Sequence, residues 1–334
     1  ENKRMLPETL EKLHALLEQG ATVVANAPQR ICTLAGGDET QGRFDKNVEA
    51  IWGKAADGSI TTIGKGRLLA GVTIEKAIEL LDLKQDVQGD VRWLHRHVKG
   101  ADWYFITPEK QQAFKGKVSF RAQGAAELWD PITGEITPLN VERQGEYASI
   151  ELDMPKAGSC FVVFNHNKKQ EKVEKVELAN TQSIDNKWTV QFPEGWGAPA
   201  ELEVETLAPW CELPMSKEGQ AFSGSATYTT TFNWSNESKE VVLDLGKVSM
   251  IAEVFVNDQK VRTLWCTPYA ADITSYVKQG ENKLQVKVTS TWFNRLAFDA
   301  SLPEAERKTW TIEGPKADAK LKEYGLLGPV NIKY

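Results

Sequence analysis

The chain has 334 residues, 41% hydrophobic and 26% charged, with a net charge of −6. That length accommodates two or three domains with their own cores, and the charge balance argues against nucleic acid or an anionic membrane as a partner. No apolar run approaches the ~20 residues of a bilayer span. No signal peptide is recognisable either, but the chain opens on Glu1, so an earlier segment is expected to have been removed.

Residues 1–87 read as an incomplete α/β domain. LPETLEKLHALLEQG carries Leu6, Leu10, Leu13, Leu16 and Leu17 at helical spacing, with Pro7 in the first turn and Gly20 at the C-terminal cap. ATVVANA predicts a short buried strand, RFDKNVEAIWG a helix, GSITTIGKGRLLAG a β segment and TIEKAIELLDL another helix. The strands are too few for a complete doubly wound sheet, so its earlier strands are expected upstream of residue 1.

Residues 88–175 change to a period of two. VRWLHRHV, DWYFITP, KVSFRAQ, AELWDP, GEITPLNVE, YASIELDM and SCFVVF are short runs bounded by Gly, Pro and Asp, which predicts an antiparallel β-sandwich. NHNKKQEKVEKVELAN is dense in charge and reads as a linker or exposed edge strand. Residues 176–334 are again all-β, with WTVQF, ELEVETL, SATYTTTFNW, VVLDLG, AEVFVNDQKVRTLW, ADITSYV, KLQVKVTSTW and PVNIKY as strands. Asn257 and Asp258 stand where a hairpin turn needs residues tolerant of left-handed backbone. About eight strands predict a jelly roll.

Cys32, Cys160, Cys211 and Cys266 are too scattered for a zinc knuckle or a disulfide scaffold. GSITTIGKGR departs from a phosphate loop: five residues separate Gly58 from Gly64, and Gly66 rather than a hydroxyl follows Lys65, so a tight turn is expected. His95 and His97 share one strand face, but nothing adjacent in sequence completes a metal site, and Arg96 on the opposite face is expected to pair with a carboxylate. Glu127 and Asp130 lie close together, yet Asp-Pro followed by Thr-Gly is ordinary turn chemistry, and no privileged carboxylate pair emerges. No catalytic residue, metal ligand or cofactor is assigned.

TLWCTPY and TWFNRL read differently. Trp265 and Tyr269 follow one strand, and Trp292, Asn294 and Arg295 close another. A flat aromatic covers the apolar face of a sugar ring, Asn offers donor and acceptor, and Arg offers a planar fork of donors. These five form the candidate carbohydrate-binding set. Alternatively, Asn294 and Arg295 tie this domain to a neighbour.

GSATYTTTF, VVLDLGKV, EVFVNDQKV, TLWCTPYAADIT, GENKLQVKVTSTWFNRL and GLLGPVNI together resemble the galactose-binding-like, sugar-binding jelly roll of family 2-type glycoside hydrolases. With GATVV, GKGR, VRWLHRHVKGADWYFI, SFRAQG and ELWDPITGE upstream, the chain resembles the C-terminal half of the alpha-L-rhamnosidases of glycoside hydrolase family 106. The resemblance implies a mainly β multidomain fold with an amidotransferase-like partial α/β segment. It also implies an exported bacterial enzyme, periplasmic or extracellular, that removes L-rhamnose from glycans with inversion. The catalytic carboxylates of such enzymes lie on a barrel of about 250 residues, so the expectation is an accessory, non-catalytic portion. Its partners would be a rhamnose-containing glycan and that missing N-terminal barrel. The TWFNRL signature, at Trp292, Asn294 and Arg295, would face the substrate pocket or seal the barrel interface. A free-standing carbohydrate-binding module and the accessory part of a family 2 beta-galactosidase or glucuronidase are the alternatives.

Overall fold

The computed structural model describes residues 3–110, 112–174 and 178–334. Two compact units, Glu1–Asp86 and Val87–Tyr334, divide the chain; the boundary expected at 175/176 lies outside the described residues.

In the first unit, helix α1 (Pro7–Gln19) has Pro in its first turn and ends on Gly20, whose φ of 117° is a left-handed cap suited to glycine. Helix α2 (Gly37–Trp52) begins ahead of the expected Arg43 start. Leu10 and Leu17 of α1 pack with Phe44, Ile51 and Trp52 of α2 and with Leu68. A three-stranded sheet holds Gly66–Leu69 at its centre, parallel to Thr22–Val24 and antiparallel to Ile60–Ile63. Ile63 pairs with Gly66 across Gly64-Lys65, with Gly64 at φ 56°, so GKGR is a hairpin turn as expected. Helix α3 (Ile74–Leu80) is capped by the Thr73 hydroxyl, which accepts the Lys76 N–H at 3.2 Å.

The second unit contains two cores. In the first, a five-stranded antiparallel sheet runs Ile136–Pro138, Ala125–Trp129, Cys160–Asn165, Ala101–Pro108, Val91–Val98. A four-stranded sheet runs Glu142–Gln144, Tyr147–Met154, Phe114–Phe120, Val87–Gln88. Alternate residues of both, among them Tyr104, Ile106, Val118, Phe120, Ile150, Val162 and Phe164, form one buried cluster, as the period of two requires.

The second core lies within a six-stranded antiparallel sheet, Glu201–Val204, Trp188–Gln191, Ser225–Trp234, Gly280–Thr289, Ile251–Val256, Gln259–Leu264, and a four-stranded one, Thr181–Ser183, Asn331–Lys333, Val242–Asp244, Ala270–Asp272. Ser225–Trp234 and Gly280–Thr289 pair over ten residues and bury every second side chain. Asn257 and Asp258, at φ 51° and 64°, turn Ile251–Val256 into its neighbour where the sequence placed a hairpin. Within this core the Tyr228 hydroxyl accepts from Trp210 Nε1 at 2.6 Å and from the Leu326 N–H at 3.2 Å. Arg262 pairs with Glu135 of the preceding sandwich at 2.5 Å. Mainly β architecture in several sheets is thus the observed fold class. Among the described residues no helix is long and apolar enough to cross a membrane.

Candidate functional site

The Gly280–Thr289 strand leads directly into the TWFNRL segment, but that segment is not a strand edge. Phe293–Ala300 forms helix α5, with Trp292 at its N-cap position. The chain leaves the sheet at Ser290, whose N–H donates to the Gly224 carbonyl at 2.9 Å. The Thr291 and Tyr324 hydroxyls hydrogen-bond to one another just beyond. The sheet thereby fixes the start of α5.

Helix α5 turns Asn294 and Arg295 inward, where they are 0% and 1% exposed. Asn294 donates Nδ2 to the Lys322 carbonyl and accepts the Lys322 N–H on Oδ1, both at 2.8 Å. Arg295 pairs through Nη1 with Glu218 Oε1 at 2.7 Å and through Nη2 with Asp299, one turn along the helix. Its main-chain N–H donates to the Ser223 hydroxyl at 3.0 Å. The guanidinium also lies 5.5 Å from the Trp196 ring and 5.3 Å from Phe298. A side chain so enclosed presents no surface to a sugar; the polar half of the set braces the fold.

Asp299 is the hub of this network. Beyond Arg295, it accepts the Thr309 N–H at 2.7 Å, the Thr309 hydroxyl at 2.5 Å and the Lys308 N–H at 3.2 Å. Burial alone would raise its carboxyl; the hydrogen bonds from Arg295 and Thr309 outweigh burial and hold it below the usual carboxylate value. Glu218 is likewise held low, by hydrogen bonds from Lys308 and then Arg295. Lys308 reaches Glu218 and the Gly195 carbonyl, both at 2.8 Å, so the 307–311 segment is tied to α5.

The aromatic half of the set faces outward in part. Trp292 is 45% exposed and meets Trp196 edge-to-face at 5.0 Å between centroids. Trp265 is 57% exposed, just past the Gln259–Leu264 strand. Tyr269 is buried, with its hydroxyl donating to the Met250 carbonyl at 2.7 Å. Among the described residues no hydrogen bond, ion pair or ring contact joins Trp265 or Tyr269 to the α5 cluster. Trp196, Glu218 and Asp299 were not singled out in the sequence. Asp299 carried a signal, because Arg295 and Asp299 are four apart and face one another only on a helix.

The other motifs also find partners. His95 Nε2 and His97 Nδ1 both contact Asp102 Oδ1, at 3.0 and 2.8 Å, and His166 Nε2 contacts Oδ2 at 2.8 Å. A carboxylate at the centre of three imidazoles is a cross-brace that ties two strands to the turn after a third, and among the described residues no such group is arranged to hold a metal. Arg96 has no ion pair among the described residues, contrary to expectation. Asp130 Oδ1 accepts the N–H groups of Ile132 and Thr133, as its turn requires. Glu127 is buried against Trp129 Nε1 and Lys168 Nζ. All four cysteines are free.

Residues 1–143 match the model of glycoside hydrolase family 106, described as alpha-L-rhamnosidase. Residues 216–321 match the model of the glycosyl hydrolase 2 galactose-binding domain-like family. The structure of a rhamnosidase from Novosphingobium sp. PP1Y is similar at a TM-score of 0.89 and 31% identity, over 99% of this chain and 32% of that one. A protein of Formosa agariphila named "Putative beta-glucuronidase" is 37% identical over 174 residues, 43% of this chain and 15% of its own length. The chain therefore spans less than a third of the rhamnosidase and a smaller part of the second relative. The chain is glycoside hydrolase-related, similar to family 106 alpha-L-rhamnosidases over residues 1–143 and to the family 2 galactose-binding domain-like family over residues 216–321.

Proposed function

We propose that this chain is the non-catalytic, C-terminal accessory portion of an inverting alpha-L-rhamnosidase that acts in the periplasm or outside the cell. In this reading residues 1–87 are an incomplete α/β domain, 88–175 a β-sandwich and 176–334 a galactose-binding-like jelly roll. Together they support a catalytic barrel carried by another part of the polypeptide. The observation that supports this most is the likeness to the Novosphingobium rhamnosidase over 99% of this chain but 32% of that one. Carbohydrate contact falls to Trp292 and Trp265, the exposed members of the candidate set. Asn294 and Arg295 act from behind by setting α5, and Tyr269 by anchoring the segment after Trp265. The glycan is one that contains L-rhamnose.

The test is incubation of the purified chain with an aryl alpha-L-rhamnoside. The expected result is no release of the aryl group above the uncatalysed rate, together with weak binding of rhamnosides detected by NMR. Turnover at an enzyme-like rate overturns the accessory reading.

The 37% identity to the Formosa agariphila protein favours a second reading, in which the same accessory domain serves a family 2-type glucuronidase or galactosidase. Preferential binding of glucuronides over rhamnosides would select it.

A further inference from the structure

Trp310 is 83% exposed, yet the backbone that presents it is firmly held. The main-chain N–H groups of Lys308 and Thr309, and the Thr309 hydroxyl, all converge on the buried Asp299 carboxylate. On the far side, the Thr311 hydroxyl donates to the Glu313 carbonyl at 2.9 Å. An indole on a fixed backbone, without a covering side chain, is what a binding platform requires, because little ordering entropy remains to be lost on contact.

Beside this indole opens a cleft of about 570 Å³, whose lining includes Glu304, Arg307, Lys308, Trp310 and Gly314. Its charges divide into two groups. Lys308 is occupied with Glu218, and Asp299 with Arg295. Arg307 donates Nε to the Leu302 carbonyl at 3.0 Å, which orients the guanidinium, and no ion pair joins it to a carboxylate among the described residues. Glu304 likewise has no ion pair among the described residues. One uncommitted cation and one uncommitted anion leave the cleft with no net sign, which suits a neutral ligand better than a uronic acid. Arg offers a fork of donors and Glu two acceptors, the complement of neighbouring sugar hydroxyls.

We propose that this cleft is a saccharide subsite. The indole of Trp310 covers the apolar face of a neutral pyranose, Arg307 donates to adjacent hydroxyls, and Glu304 accepts from them. The proposal rests on the carbohydrate reading above and adds a second contact surface, anchored to α5 through Asp299.

The test follows the indole N–H signals of the whole chain by two-dimensional NMR, with Trp310 assigned by its loss in Trp310→Phe. The probes are methyl alpha-L-rhamnopyranoside, a neutral rhamno-oligosaccharide and an oligogalacturonate. The neutral sugars are expected to shift the Trp310 signal, and Arg307→Met and Glu304→Gln to weaken that response by about tenfold. Unchanged positions of the remaining indole signals show that the variants fold. If Trp292 or Trp265 responds while Trp310 does not, the carbohydrate reading stands and this subsite falls. If no indole responds to any probe, both fall. A Trp310 response to oligogalacturonate alone overturns the assignment of a neutral ligand.

Discussion

Arg295 and Asp299 face each other across one turn of α5, with their side chains 1% and 3% exposed. The pair is cut off from water, and each partner has further bonds: Arg295 to Glu218, Asp299 to the 308–309 backbone. A buried pair of this kind adds little over an apolar substitute, but removing one partner leaves an uncompensated charge.

Arg295→Met is accordingly expected to cost about 3–5 kcal/mol, because Asp299 stays buried without its cation. Urea unfolding followed by circular dichroism measures it. A loss under about 1 kcal/mol would show that the pair is not sealed as described.

Acid should unfasten the same network. Asp299 and Glu218 are both held below their ordinary values, so each is deprotonated more readily in the folded chain than in the unfolded one. Their contribution is complete above the ordinary carboxylate range of about 4, and it is lost as pH falls through the lower folded values. The urea midpoint of the second unit should therefore hold steady from neutral pH to about 5 and decline below it. Asp299→Asn should make that decline shallower.

Asn294→Ala removes two hydrogen bonds and leaves the Lys322 N–H and carbonyl without partners. A loss of about 1–3 kcal/mol is expected, visible as a lower melting temperature. An unchanged melting temperature combined with weakened rhamnoside binding would mean that Asn294 serves the ligand rather than the fold.

Trp292→Ala gives the opposite pattern. The ring is half-exposed and loses one edge-to-face contact with Trp196, worth about 0.5–1.5 kcal/mol. Rhamnoside binding at that surface should fall by about tenfold, read by NMR titration. Equal binding by the variant would remove Trp292 from the carbohydrate-binding set.

Asp102→Asn is expected to loosen one end of the five-stranded sheet. An amide cannot accept from three imidazoles as a carboxylate does, so the Val91–Val98 edge strand should lose hydrogen-exchange protection ahead of its neighbours.

Strand periodicity and turn chemistry were the legible part of this chain. Asn257 and Asp258 announce their hairpin because few other residues accept two successive positive φ angles. The Gly280–Thr289 strand announces itself by alternation. Helix α5 did not: it is eight residues long, its cap position is Trp292 with no side-chain cap, and it follows a strand without a turn signal. Reading TWFNRL as an edge put Asn294 and Arg295 at the surface, whereas the helix turns them into the core. The ring of imidazoles around Asp102 was half-visible, since His95 and His97 are close in sequence but His166 arrives from the turn after the Cys160–Asn165 strand, 64 residues beyond Asp102. Contacts of that range depend on sheet order, which local patterns do not encode.

Through its amide, Asn294 meets Lys322 as one peptide group meets another, donor to carbonyl and acceptor to N–H. The segment around Lys322 is thus fastened to α5 by a side chain imitating main chain. Aspartate, matching it in shape, would point a second oxygen at the Lys322 carbonyl, and glutamine would overreach by a methylene. Two residues on, the Tyr324 carbonyl accepts the Trp210 N–H at 2.8 Å, so the closing segment is already pinned on both sides before its first strand begins.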